Sequence, residues 1–268
     1  MKLMPRDSET LVPNLTTSKQ HIQDHIGRYV FAAQFISNKT VLDVACGRGY
    51  GTSYLASRGA EKVIGGDISK EVVEYGIQHY HKSNLSFVCL NAQQLPYPAD
   101  SFDVIVSFET IEHLKAPDSF LRECRRVLKN GGIFICSTPN NILGSQGKPN
   151  SPYHSREFNV EEFQQLLSGY FQNIELNGYI HDKSKKMGIM QKLVAMLESI
   201  VYSMPGVLQT VIMKVVAGVT TFICREYHPI KLTDIDEGDF DKILSADFKP
   251  FPIGNSSSKY ILAMGWKI

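Results

Sequence analysis

The sequence has almost no surplus of either charge. Its 268 residues carry 28 Lys and Arg against 27 Asp and Glu, a formal net charge of +1. Nucleic-acid binding is therefore not expected, because that affinity rests on concentrated positive charge. Cysteines are few: five, at 46, 89, 124, 136 and 224, with no C-x-x-C pair. An odd number without framework spacing argues against a disulfide scaffold and for free thiols in a reducing compartment, so a cytoplasmic location is expected. The opening Met-Lys-Leu-Met-Pro-Arg-Asp lacks the apolar run of a signal peptide. No uncharged apolar run reaches the roughly eighteen residues of a spanning helix, and no internal repeat is evident. With 43% hydrophobic and 21% charged residues, the composition is that of an ordinary globular chain. Its length suits one large domain, or a domain with a sizeable insertion.

What is present centres on Val41-Leu-Asp-Val-Ala-Cys-Gly-Arg-Gly-Tyr-Gly51. Val41, Leu42, Val44 and Ala45 suit a strand covered on both faces. Gly47, Gly49 and Gly51 allow a tight turn and the close approach of a ligand to main-chain N–H groups. A helix over about 52–58, ended by Gly59, would then point its N-terminus at the same place. The spacing is G-x-G-x-G; Thr52 breaks the G-x-G-x-x-G dinucleotide fingerprint, and no Lys-Ser or Lys-Thr pair follows to make a P-loop. Asp43, four residues before the first glycine, would repel a pyrophosphate but suits a cationic or amino-bearing ligand. Asp67 closes the next apolar strand, Lys62 to Asp67, where it can accept hydrogen bonds from ribose hydroxyls.

These residues resemble the class I S-adenosylmethionine-dependent methyltransferases. The resemblance extends through Asn91-Ala-Gln-Gln-Leu-Pro96, Ser101-Phe-Asp-Val-Ile-Val-Ser107 and Arg126-Val-Leu-Lys-Asn-Gly-Gly132, and covers roughly residues 25 to 180. It implies that Asp43, Ala45, Gly47 and Gly49 hold the methionine end of S-adenosylmethionine, that Asp67 takes the ribose and that Ile68 packs on the adenine. Asn91, where relatives often carry an acid, Ala92 through its backbone, Gln93, Ser107 and Phe108 complete the expected cofactor set. Arg28 and Tyr29, on a helix starting near Ser18, are candidates for the cofactor's carboxylate or methionine tail; otherwise Tyr29 is core and Arg28 a surface charge.

Strands at 62–67, 85–90, 103–108, 133–137, 171–176 and 260–266 alternate with helices at 69–81, with Ser69 as its N-cap, at 117–128, ended by Asn130-Gly131-Gly132, and at 160–167. That order implies an α/β fold, a doubly wound, mostly parallel seven-stranded sheet. The expected organisation is an arm and cap helix over 1–40, a cofactor-binding core over 41–180, a mainly helical insertion over 181–255 and a final core strand over 256–268. The insertion opens with Lys183, Lys185 and Lys186, and its apolar stretch breaks at Met204-Pro205-Gly206. It reads as a substrate-covering lid, with a homodimer face or a peripheral membrane contact as alternatives.

The candidate chemistry follows the fourth strand, at Glu109-Thr-Ile-Glu112-His113. If this turn is helical, residues 109, 112 and 113 share one side. Imidazole suits a general base, so His113 is placed as the group that removes an acceptor's proton. The E-x-x-E-H pattern resembles that of small-RNA 3′-end and ubiquinone-pathway O-methyltransferases, where it is associated with a divalent metal and, in the RNA group, a further histidine. His154 is the supplier here, although the metal-free version is preferred. In a purely structural role Glu109 and Glu112 bond the loop backbone and His113 caps the turn. Tyr153-His-Ser-Arg-Glu-Phe158 resembles a segment of methyltransferases that modify sugars and small metabolites, which makes Tyr153 and Arg156 substrate-contact candidates. Alternatively, Arg156 and Glu157 simply pair with each other. The expected activity is O-methylation of a small molecule or sugar-containing metabolite. The alternatives are N- or C-methylation, an NAD-dependent oxidoreductase, or a non-catalytic scaffold.

Overall fold

A computed structural model describes residues 19–141, 149, 151–178, 251–252 and 260–268. The chain divides into two units, Met1–Ile180 with Lys231–Ile268, and His181–Ile230. Only the first contains described residues, so the arm over 1–17 and most of the 181–255 insertion lie outside them.

Eight strands form one sheet among the described residues: β1 (Thr40–Val44), β2 (Lys62–Asp67), β3 (Leu85–Cys89), β4 (Phe102–Phe108), β5 (Leu128–Pro139), β6 (Gln172–Gly178), β7 (Phe251–Pro252) and β8 (Tyr260–Trp266). Their order is β3-β2-β1-β4-β5-β8-β6-β7. The first five are mutually parallel, whereas β8 lies antiparallel between β5 and β6. This is the expected doubly wound sheet of seven strands, with the two-residue β7 added at the β6 edge.

The helices α1 (Lys19–Ala32), α2 (Tyr50–Ser57), α3 (Lys70–His79), α4 (Pro117–Val127) and α5 (Val160–Ser168) complete the described unit. In α4 the residues Phe120, Leu121, Cys124 and Val127 fall at helical spacing and all are fully buried. Burying each large apolar side chain contributes roughly 1.5–3 kcal/mol, so this face fixes the helix on the sheet. Ser69 caps α3, its Oγ accepting from the Val72 N–H at 3.4 Å. Asn159 and Glu162 form a reciprocal capping box at the start of α5.

One boundary differs in kind from the sequence expectation. Asn130-Gly131-Gly132 does not terminate α4, which ends at Val127, but lies inside β5. There Gly131 takes φ +77° and its N–H donates to the Lys267 carbonyl at 2.7 Å, while the register against β4 shifts between Phe102 and Val104. The glycines serve an irregularity in the strand rather than a helix stop.

The parallel register places the ends of β1, β2 and β4 on one edge, where ligands bind in sheets of this kind. The N-terminal helix reaches the same edge through Tyr29, whose hydroxyl donates to Asp43 Oδ2 at 3.3 Å.

Candidate active site

The glycine loop is shaped by backbone conformation. Ala45, Gly47 and Gly49 turn through positive φ, at +60°, +56° and +86°. The motif's glycines differ in what surrounds them. A Cβ on Gly47 would meet nothing, leaving an open cradle beside its N–H, whereas one on Gly49 would run into the Phe87 ring and one on Gly51 into Tyr29. Gly49 and Gly51 therefore serve packing, and Gly47 is the one with free space beside the loop.

Asp67 ties this loop to the next helix. Its Oδ2 accepts from the Gly47 N–H at 3.0 Å and its Oδ1 from the Ser69 N–H at 2.9 Å. Four lone-pair positions on a carboxylate leave room for two hydroxyl donors as well. Asp43 is fully buried and accepts from Thr52 Oγ1 at 2.7 Å as well as from Tyr29. Burial pushes its carboxyl up to about 7, with the two hydroxyl donors partly offsetting that effect.

Other cofactor candidates divide. Ile68 is 68% exposed, an apolar side chain open to a stacking partner. Asn91 Oδ1 accepts from the Gln93 N–H at 2.9 Å, and Gln93 Nε2 donates to the Ala116 carbonyl at 2.9 Å, so these side chains order the turn after β3 around the half-buried Ala92. Ser107 and Phe108 brace the floor of the site. The Ser107 hydroxyl donates to the Val44 carbonyl at 2.9 Å, and the Phe108 ring meets Tyr29 edge-on at 5.0 Å.

Beyond β4 the chain bends sharply, with Glu109 at φ +52° and Ile111–His113 in a single 3₁₀ turn. The expected shared face of Glu109, Glu112 and His113 accordingly separates. Glu109 Oε1 accepts from Ser137 Oγ at 2.8 Å and lies 3.3 Å from an Arg28 guanidinium nitrogen. Arg28 is no surface charge: it is completely buried and stacks 4.5 Å over the Tyr260 ring. Glu112 is buried too, and its Oε2 accepts from Thr138 Oγ1 at 3.1 Å. Burial, then the neighbouring Glu109 carboxylate, hold the Glu112 carboxyl well above the usual range, with Thr138 and Arg28 acting in the opposite sense.

The loop of residues 151–158 closes over this turn. The Glu112 carbonyl accepts from the N–H groups of Ser155 and Arg156, at 2.7 and 3.1 Å. His113 Nδ1 lies 3.2 Å from the Tyr153 carbonyl, and the rings of His113 and His154 meet edge-on at 4.8 Å. One ligating atom each from Glu112, His113 and His154 falls within a 4.8 Å group. Tyr153 stays 40% exposed, and the Arg156 guanidinium rests 4.8 Å over Phe158. Glu157 pairs with His154 at 2.6 Å, not with Arg156. Sequence reasoning missed Thr52, Ser137, Thr138 and Asn141; the adjacent Ser137 and Thr138 at the end of a buried strand were the available signal.

Such a parallel sheet, with an open glycine cradle and an acid at the end of each of the first two strands, defines a class. Residues 42–136 match the family described as a methyltransferase domain. Over those residues the chain carries a methyltransferase domain of the class I S-adenosylmethionine-dependent kind, and the cofactor of that class is S-adenosylmethionine. Among relatives, it is 36% identical over 166 residues to the "Probable S-adenosylmethionine-dependent methyltransferase" of Mycolicibacterium smegmatis, covering 61% of this chain and 63% of that protein. It is 37% identical over 102 residues to a ubiquinone biosynthesis O-methyltransferase of Cereibacter sphaeroides, covering 37% and 41% of the two chains. Among solved structures, the YcgJ protein of Bacillus subtilis aligns over 92% of this chain and 98% of its own with a TM-score of 0.54; at 21% identity the likeness is one of fold.

Proposed function

We infer that this chain transfers a methyl group from S-adenosylmethionine to a hydroxyl oxygen of a small molecule or sugar-containing metabolite. The observation that carries the reading is the convergence of two imidazoles and a buried carboxyl beyond β4, next to the cofactor edge. The partial similarity to ubiquinone biosynthesis O-methyltransferases supports an oxygen acceptor. Asp43 and the Gly47 loop would hold the methionine end, Asp67 the ribose and Ile68 the adenine. When bound, the cofactor supplies an electrophilic methyl on a sulfonium. The protein's work is then to position the acceptor and take its proton. His113 and His154 are the groups suited to that step, and Arg156 and Tyr153 lie beside them to orient the acceptor. No metal is invoked, and the expected setting is the cytoplasm.

A screen of hydroxylated small molecules and sugars, read by release of S-adenosylhomocysteine, tests this. Release with hydroxyl acceptors, surviving exhaustive chelation, is expected. Release only with amines would overturn O-methylation, and loss of all turnover on chelation would overturn the metal-free chemistry.

A further inference from the structure

Resting on that reading, we propose that Glu157 is a positioning residue that makes His154, not His113, the proton acceptor. The chain after β5 is clasped to the loop it opens: Asn140 bridges to Phe158, and the Asn141 N–H donates to the Phe158 carbonyl at 2.9 Å. Across this clasp, Asn141 Nδ2 donates to Glu157 Oε2 at 2.8 Å, and Glu157 Oε1 lies 2.6 Å from His154 Nδ1. Glu157 is 1% exposed and Asn141 is 7% exposed. The carboxylate is therefore held from one side by an amide and presents its other oxygen to the imidazole. A carboxylate can only accept, so Nδ1 carries the hydrogen and the lone pair of the neutral ring sits on Nε2. On taking a proton, His154 becomes an imidazolium facing a buried carboxylate at charge-assisted distance.

His113 presents its Nδ1 to a different kind of group. Its Nδ1 faces a neutral carbonyl, that of Tyr153, and its Nε2 is 4.0 Å from Glu112, whose carboxyl burial holds well above the usual range. The step balances. The acceptor's O–H bond breaks and its proton passes to His154 Nε2; the oxygen bonds the methyl carbon as the carbon–sulfur pair returns to sulfur.

Glu157→Gln makes a sharp test. Asn141 would still claim the side-chain oxygen, so the new amide nitrogen would face His154 and demand the opposite tautomer. In the full chain labelled with ¹⁵N-histidine and freed of metal by chelation, two-bond NMR spectra should show His154 with hydrogen on Nδ1 in the wild type and on Nε2 in E157Q. Turnover should fall roughly 10²-fold or more, as when an orienting carboxylate is replaced by an amide. The KM for S-adenosylmethionine should stay within about twofold, and Glu157→Asp should restore part of both signals. If E157Q does not fold, Asn141→Ala should give a mixed tautomer and a smaller loss. An unchanged tautomer, or a switched tautomer with turnover intact, would overturn the proposal. A wild type that methylates no hydroxyl acceptor would instead sink the functional reading, with the tautomer result standing apart from it.

Discussion

The two halves of the proposed site, one for cofactor and one for acceptor, are built by different means. The cofactor half, at the ends of β1 and β2, is held by main chain: positive φ at Ala45, Gly47 and Gly49, and an Asp67 carboxylate bonded to two backbone N–H groups. The acceptor half, beyond β4, is held mostly by contacts between side chains, most of them far apart in sequence. Glu109 meets Ser137 and Arg28, Glu112 meets Thr138, and His154 meets Glu157 held by Asn141. Backbone geometry tolerates many side chains but few exchanges at its glycines. A side-chain network can change its chemistry by single substitutions while the fold persists.

The sharpest way to break that contrast is to remove an imidazole. His154→Ala should slow turnover by roughly 10²–10⁴-fold, the range for a general base, while S-adenosylhomocysteine affinity stays within about twofold. His113→Ala should cost less, about tenfold. Steady-state kinetics beside calorimetry would check both; equal losses of affinity and rate would mean that the halves are not separate.

The next effect falls on stability and separates two glycines of one motif. Gly49→Ala meets both a left-handed φ and the Phe87 ring. It should lower unfolding free energy by roughly 2–4 kcal/mol, combining the conformational cost with overpacking. Gly47→Ala has open space and should cost only about 1 kcal/mol in stability, yet weaken cofactor binding because its methyl enters the cradle. Denaturant titrations and calorimetry on the pair would show the crossover.

The legibility of the two halves in sequence follows the same division. Motif spacing exposes backbone roles, so the succession of strands and helices, the β8 segment, the Ser69 cap and the acids at the ends of the first two strands could all be read in advance. The Asn130-Gly131-Gly132 stop could not, because a glycine pair looks alike whether it ends a helix or bends a strand. Arg28 read equally well as a surface charge, since nothing local announces Glu109 or Tyr260 as its neighbours. Glu157 read as a partner for adjacent Arg156, whereas the fold gave it His154 and Asn141. The pairings of Arg28 with Glu109 and of Asn141 with Glu157 are set by tertiary packing, and spacing carries no trace of them; His154 is only three residues from Glu157, but so local a spacing does not choose it over adjacent Arg156.

A smaller effect concerns pH. Burial raises the Asp43 carboxyl from 3.8 to about 7. Between those values the folded chain holds a proton that the unfolded chain has released. Ligand-free stability should therefore fall as pH rises from about 4 to 7, then level off. The amino group of S-adenosylmethionine favours ionised Asp43, so cofactor affinity should rise toward pH 7, by at most tenfold per pH unit. Asp43→Asn should flatten both curves. Calorimetric titrations at pH 5.5, 6.5 and 7.5 would check this.

The most direct measurement of the central claim is a pair of calorimetric titrations, S-adenosylhomocysteine against NAD, into the wild-type chain and Asp67→Ala. The wild type should bind one S-adenosylhomocysteine per chain and no NAD. Asp67→Ala should weaken that binding by roughly 1–3 kcal/mol, the range for hydrogen bonds to a charged group. NAD binding of comparable strength, or S-adenosylhomocysteine affinity untouched by Asp67→Ala, would contradict the account.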